Sequence, residues 1–242
     1  MSVNPSKCSC ITYHRIKSPV MYVYSISGTS IPRSQCIKDI GVIFASDMGF
    51  SGHIDHISNK ANKMLGFIAR FSRGIDNPSA LRSLYCSLVR QLVEYASPVW
   101  SPYTVGNRTR LEALQRRFLR LVDVRLGFAY LDVPVEELYS NLNLSPLPLR
   151  RDVADVVLLW KIVNGHMNCP DLLAEIDLRV PTNTRSRDLL GRRYHSTNFD
   201  FNSHFARFIR LENQVASGCD LFFDGLHQVR RQASSLLLSG RD

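Results

Sequence analysis

The stretch Gly52–Gly74 reads GHIDHISNKANKMLGFIARFSRG. Its apolar residues Ile54, Ile57, Ala61, Met64, Leu65, Ile68 and Phe71 fall on one stripe at the period of an amphipathic helix. Lys60, Lys63 and Arg70 lie off that stripe. Gly74 reads as the helix stop, with Arg73 in the last turn, where a cation meets the negative end of the helix dipole. A stripe this long needs a partner surface, so the middle of the chain is expected to be helix packed on helix.

The segments that follow supply such partners. Asp76-Asn77-Pro78 combines a capping side chain with Pro at the first helical position and opens a second helix. Leu81, Leu84, Tyr85, Leu88, Leu92 and Tyr95 form its expected apolar face, and Pro98 and Pro102 break the pattern around Trp100. A third helix is expected from about Asn107 to Arg125. Leu111, Leu114, Phe118, Leu121 and Val122 cluster on one side, and Arg116, Arg117 and Arg120 project from the other. Two readings fit that arginine face: a solvated surface, or a contact surface for phosphates. The predominance of Arg over Lys suits bidentate phosphate contacts.

Upstream of Gly52 the period is two. Ser9–His14 and Met21–Ser27 are rich in β-branched and aromatic residues, Gly28-Thr29-Ser30 has turn chemistry, and Cys36–Phe44 alternates loosely around Gly41. A small antiparallel β unit of three short strands is expected, marginal alone and packed on the helices. Downstream, a short helix is expected over Val133–Leu142, and Asn143–Pro148 reads as a Pro-punctuated linker. Arg150–Asn164 is apolar on more than one side, which predicts deep burial. Pro181–Phe201, with Arg185, Arg187, Arg192 and Arg193, reads as a basic loop that is either a second nucleic-acid contact or an exposed tail. One or two short helices are expected between Phe205 and Val229. The expected class is mainly α: a helical bundle with a small N-terminal antiparallel β unit.

Charge is concentrated in the helical block. Lys60–Arg125 holds twelve Lys/Arg against four Asp/Glu, in a chain of 242 residues whose total is +9. With a pI near 9.5, the expected partner is acidic, either nucleic acid or anionic lipid. Chemistry-bearing constellations are sparse. The cysteines, Cys8, Cys10, Cys36, Cys86, Cys169 and Cys219, lack zinc spacing and are expected to be reduced thiols in an intracellular protein, nuclear or cytoplasmic. Asp39, Asp47 and Asp55 carry no supporting metal motif, and His53 and His56 read as exposed polar residues at a helix start. No phosphate-loop or nucleophile-elbow motif occurs.

Several segments resemble one polymerase family. Val3-Asn4-Pro5-Ser6-Lys7-Cys8 is similar to the LN-x-x-K-C/T element that follows the catalytic core of reverse transcriptases. Lys38-Asp39-Ile40-Gly41-Val42-Ile43-Phe44 is similar to the K-x-L-G-V element after it. Leu92–Trp100 resembles the L-x-Y-x-x-x-V-W helix end of non-LTR retrotransposon polymerases, and Leu111–Arg120 the L-E-x-x-Q-R-R/K-F-x-R helix that follows. The run resembles jockey-like elements of insects most strongly from Val3 to Arg125.

The resemblance implies a division of the chain. Residues 1–48 would be a remnant of the polymerase palm, 49–142 a thumb-like basic helical region, and 143–242 a C-terminal helical region with a basic loop. Lys7 would occupy the lysine position that assists phosphoryl transfer, and Ile40-Gly41-Val42 the primer-grip turn. Lys60, Lys63, Arg70, Arg116, Arg117 and Arg120 would face an RNA or RNA/DNA template–primer duplex. The family's catalytic aspartates and the magnesium they hold belong to the intact polymerase and lie upstream of Val3. No cofactor is expected within this chain. The expectation is a C-terminal fragment of an RNA-directed DNA polymerase, inactive without the missing palm and fingers. A different class also fits: a co-opted helical module that binds a protein partner, for which an exposed apolar patch on the Val153–Val163 helix is expected.

Overall fold

The computed structural model describes residues 3–129, 134–179 and 188–240. A 3₁₀ turn at Pro5–Lys7 precedes strands β1 (Ser25–Ile26) and β2 (Thr29–Ser30), which pair antiparallel. β3 (Cys36–Asp39) and β4 (Val42–Ala45) form a second antiparallel pair. The expected third strand is therefore itself a hairpin. Its two-residue loop, Ile40-Gly41, has φ of +42° and +84°, the combination that matches the twist of flanking strands. Ser9–His14 forms no ladder beyond a single bridge from Cys10 to Arg33, and Met21–Tyr24 remains outside any strand.

The rest is mainly helical. In chain order the helices are α1 (Ser51–Phe71), α2 (Pro78–Tyr85), α3 (Gln91–Glu94), α4 (Ser97–Trp100), α5 (Val105–Arg125), α6 (Val135–Asn141), α7 (Leu147–Val163), α8 (Pro170–Ala174), α9 (Asn198–Phe201), α10 (His204–Val215) and α11 (Leu226–Ser239). Asn77 caps α2 as its sequence suggests: its Oδ1 accepts from the Ser79 and Ala80 amides at 2.9 and 3.3 Å.

One local departure re-aims the second helical segment. A π-helical turn at Cys86–Arg90 joins α2 to α3. The inserted residue widens the turn, so the buried positions are Leu81, Tyr85, Val89 and Val93, four apart. Leu84, Leu88 and Leu92 are only half-buried, and Tyr95 is exposed. The expected face was drawn for a regular helix and misses Val89 and Val93 for that reason.

α1 and α5 run side by side in the same direction. Ser51 faces Asn107, Asp55 pairs with Arg110, Asn62 with Arg117, and the Arg125 guanidinium donates to the Ala69 and Ser72 carbonyls at 2.7 and 2.8 Å. A partner offset of about 55 residues held over the full length fixes a parallel pair. Between them and the α2–α3 segment, Tyr85 stacks on Phe118 with ring centroids 4.3 Å apart. Its hydroxyl donates to Gln115 Oε1 at 2.8 Å, and Gln115 Nε2 donates to the Ser145 carbonyl. Tyr85→Phe strands the Gln115 oxygen in the core, so urea unfolding should show a loss of about 1–3 kcal/mol.

Two apolar clusters divide the buried residues. The first joins α1, the α2–α3 segment, α5, α6 and Leu147. The second joins α7 from Leu149 onward with α10 and α11. α7 thus belongs to both, and Leu147 and Pro148 are its first turn rather than the end of a linker. Cross-links follow: Arg150 pairs with Glu94, and Arg207 Nη2 donates to the Pro98 carbonyl at 2.8 Å. α7 is buried nearly all round, as its composition predicts, so the Val153–Val163 helix presents no broad apolar patch to solvent. It also buries two charges that sequence reading does not anticipate, Arg151 and Asp155.

Candidate nucleic-acid interface

At about 100° per residue, His56, Lys60, Lys63, Phe67, Arg70 and Phe71 share one sector of α1, centred away from the buried Ala61. All six are exposed. Lys60, Lys63 and Arg70 make no ion pair with any described residue. A rise of about 1.5 Å per residue places Lys60 and Arg70 about 15 Å apart along the helix, the axial length of about four phosphates on one DNA strand.

The three arginines expected to act together on α5 diverge. Arg117 reaches toward α1 and donates to Asn62 Oδ1 at 3.0 Å, which sets its charge beside the α1 stripe. Arg116 turns the other way and pairs with Glu136 on α6 at 2.7 Å, so its charge is partly matched. Arg120 is half-buried. Arg110, off the expected list, is paired with Asp55. The exposed cationic row along the α1–α5 pair therefore comprises Lys60, Lys63, Arg70 and Arg117.

The hairpin sits on the start of α1. The Ile43 amide donates to His53 Nδ1 at 3.3 Å, and the His53 ring meets Trp100 edge-on. His53 is buried, against the expectation of an exposed polar residue, while His56 is exposed. Burial, with smaller contributions from His56 and Lys38, lowers the His53 pKa to about 4. Since the unfolded imidazole titrates near 6.5, acidification from pH 6.5 to 4 protonates the unfolded chain first. Stability present above pH 6.5 should fall by on the order of 2–3 kcal/mol over that window, and His53→Asn should flatten the loss in denaturant titrations.

Gly41 is explained from within the fold. A Cβ there would lie 3.3 Å from the Tyr95 ring, and the Tyr95 hydroxyl donates to the Ile40 carbonyl at 3.0 Å. The positive φ and this close approach both call for glycine. Ile40, β-branched in a left-handed conformation, stands exposed at the tip. Lys7 is exposed in its 3₁₀ turn.

Asp39, Asp47 and Asp55 do not converge. Asp47 caps the Gly49 amide at 2.8 Å and Asp55 is held by Arg110. Among the described residues no group of three or more His, Cys, Asp or Glu side chains is placed to hold a metal ion. In the expected basic loop, Arg192 pairs with Asp188, and Arg193 with Glu175 and Asp177; Arg185 and Arg187 lie outside the described residues.

A second cationic surface escaped sequence reading. Lys161, His227, Arg230 and Arg231 line a groove of about 860 Å³ over an apolar floor that includes Val153 and Val157. The adjacent arginines of α11, followed by Ser234 and Ser235 one turn on, were the available signal. Among the described residues no helix is long and apolar enough to cross a membrane. No protein-family model matches this chain, and no curated protein or solved structure matches it.

Proposed function

We propose that this chain is the part of a non-LTR retrotransposon reverse transcriptase that follows the catalytic core, and that it holds a template–primer duplex without copying it. The observation that carries this reading is the exposed stripe of unpaired cations on α1, flanked by Arg117 on the parallel helix α5. Two parallel helices offering like charges along a common edge give a phosphate backbone a row of contacts without base recognition. The order of the Val3–Cys8, Lys38–Phe44, Leu92–Trp100 and Leu111–Arg120 segments supports the polymerase origin. In the family that the chain resembles, polymerisation rests on carboxylates that hold two ions to stabilise phosphoryl transfer, and we assign that step to the intact enzyme.

An RNA/DNA duplex with a labelled primer tests this directly. Anisotropy at low salt should show binding that weakens steeply as salt rises; no binding at low salt overturns the proposal. Incorporation of nucleotides on poly(rA)/oligo(dT) with magnesium would overturn the assignment of an inactive chain.

A further inference from the structure

We propose that Phe67 and Phe71 form a stacking platform for unpaired bases, so that the preferred ligand is a duplex with a single-stranded extension rather than a blunt one. This inference rests on the duplex-binding reading above and adds to it the part of the nucleic acid that the end of α1 recognises.

Phe71 is 75% exposed and Phe67 43% exposed, although both are large apolar rings. The two rings stack on each other, centroids 5.3 Å apart and planes 14° from parallel. They lie on the same exposed sector as Lys60, Lys63 and Arg70, Phe67 between Lys63 and Arg70 and Phe71 just past Arg70. Helical geometry puts Phe71 about 16 Å beyond Lys60. Arg125 pins the end of α5 to the last turn of α1 through the Ala69 and Ser72 carbonyls, and the exposed Leu126 and Phe128 follow it. The tip of the helix pair therefore exposes aromatic and apolar side chains with Arg70 and Arg73 beside them, and the flank leading to it is cationic.

Cations that track a backbone and rings that receive base faces are the two components of single-strand binding. A protein partner would also accept an apolar tip. The continuous run of unpaired Lys and Arg leading to it favours a polyanion whose bases are available, and duplex bases are not, because they are already stacked. A strand leaving a duplex held along Lys60 and Lys63 meets the Phe67–Phe71 pair next.

Two RNA/DNA duplexes of equal length, one blunt and one with a single-stranded tail of several nucleotides, separate the possibilities by anisotropy on the full chain. The wild type should bind the tailed duplex about tenfold more tightly, the value of roughly one stacked base. Phe67→Ala/Phe71→Ala should abolish that preference and leave blunt-duplex affinity unchanged. Phe67→Tyr/Phe71→Tyr should retain it, which separates stacking from a folding defect. If the tail preference is absent from the wild type, or survives in the alanine variant, the platform is wrong while duplex binding stands. If neither duplex binds, both readings fail. If the alanine variant instead turns a dimer into a monomer in sedimentation, the tip is a self-association surface and the inference is overturned.

Discussion

Replacing Lys60, Lys63, Arg70 and Arg117 together by Ala should remove nearly all the salt dependence of duplex binding. Each phosphate contact contributes about 0.9 to the slope of log affinity against log salt. Four contacts predict that the wild type loses roughly 100-fold in affinity between about 50 and 200 mM salt, and that the quadruple variant loses only a few-fold. Arg116→Ala is the informative control. Its guanidinium is engaged with Glu136, so its removal should change the slope by well under one contact. All four replaced side chains lie on the surface away from core contacts, and stability should move by no more than about 0.5 kcal/mol per site. A slope indistinguishable between wild type and the quadruple variant would place the nucleic acid elsewhere, and the Arg230–Arg231 groove would be the next surface to test.

Arg207→Ala should be among the most destabilising single substitutions in the chain. Its guanidinium Nε lies 2.5 Å from Asp155 Oδ2, and Asp155 is fully buried on α7. Burial already raises the Asp155 pKa to about 7, with Arg207 opposing that rise. Removing the arginine leaves the buried carboxyl without its hydrogen-bonded partner, with only the more distant charge of Arg151 opposing its burial, and also frees the Pro98 carbonyl. Breaking one side of such a pair costs about 3–5 kcal/mol. Urea denaturation by circular dichroism should report a loss of that size. Arg193→Ala, which removes ion pairs to Glu175 and Asp177 at the surface, should leave the midpoint unchanged. Similar midpoints for the two variants would mean that the Asp155–Arg207 pair is not the tie between α7 and α10.

Periodicity alone was enough to place α1, α5 and α7, because the 3.6-residue repeat is a local property: each helix must turn one face to the core wherever that core lies. The Asn77-Pro78 start of α2 and the burial of α7 were legible for the same reason. Local pattern also identified Lys60, Lys63, Arg70 and Arg117 as outward-facing. What lay outside its reach depends on partners distant in the chain. The π-turn at Cys86–Arg90 exchanges Leu88 and Leu92 for Val89 and Val93 because the core spacing, not propensity, sets the face. Arg116 and Arg117 separate because α6 and α1 flank α5 on opposite sides. Phe71 belongs to the apolar repeat, yet it falls about 80° from Ala61 at the helix end, where it stays largely exposed apart from its stack on Phe67. His53 and Asp155 become buried polar groups only when a hairpin amide and an arginine arrive from elsewhere. One-dimensional order tells a helix which side is greasy; assembly in space decides which of its charges remain unmatched, and those are the ones a phosphate backbone can use.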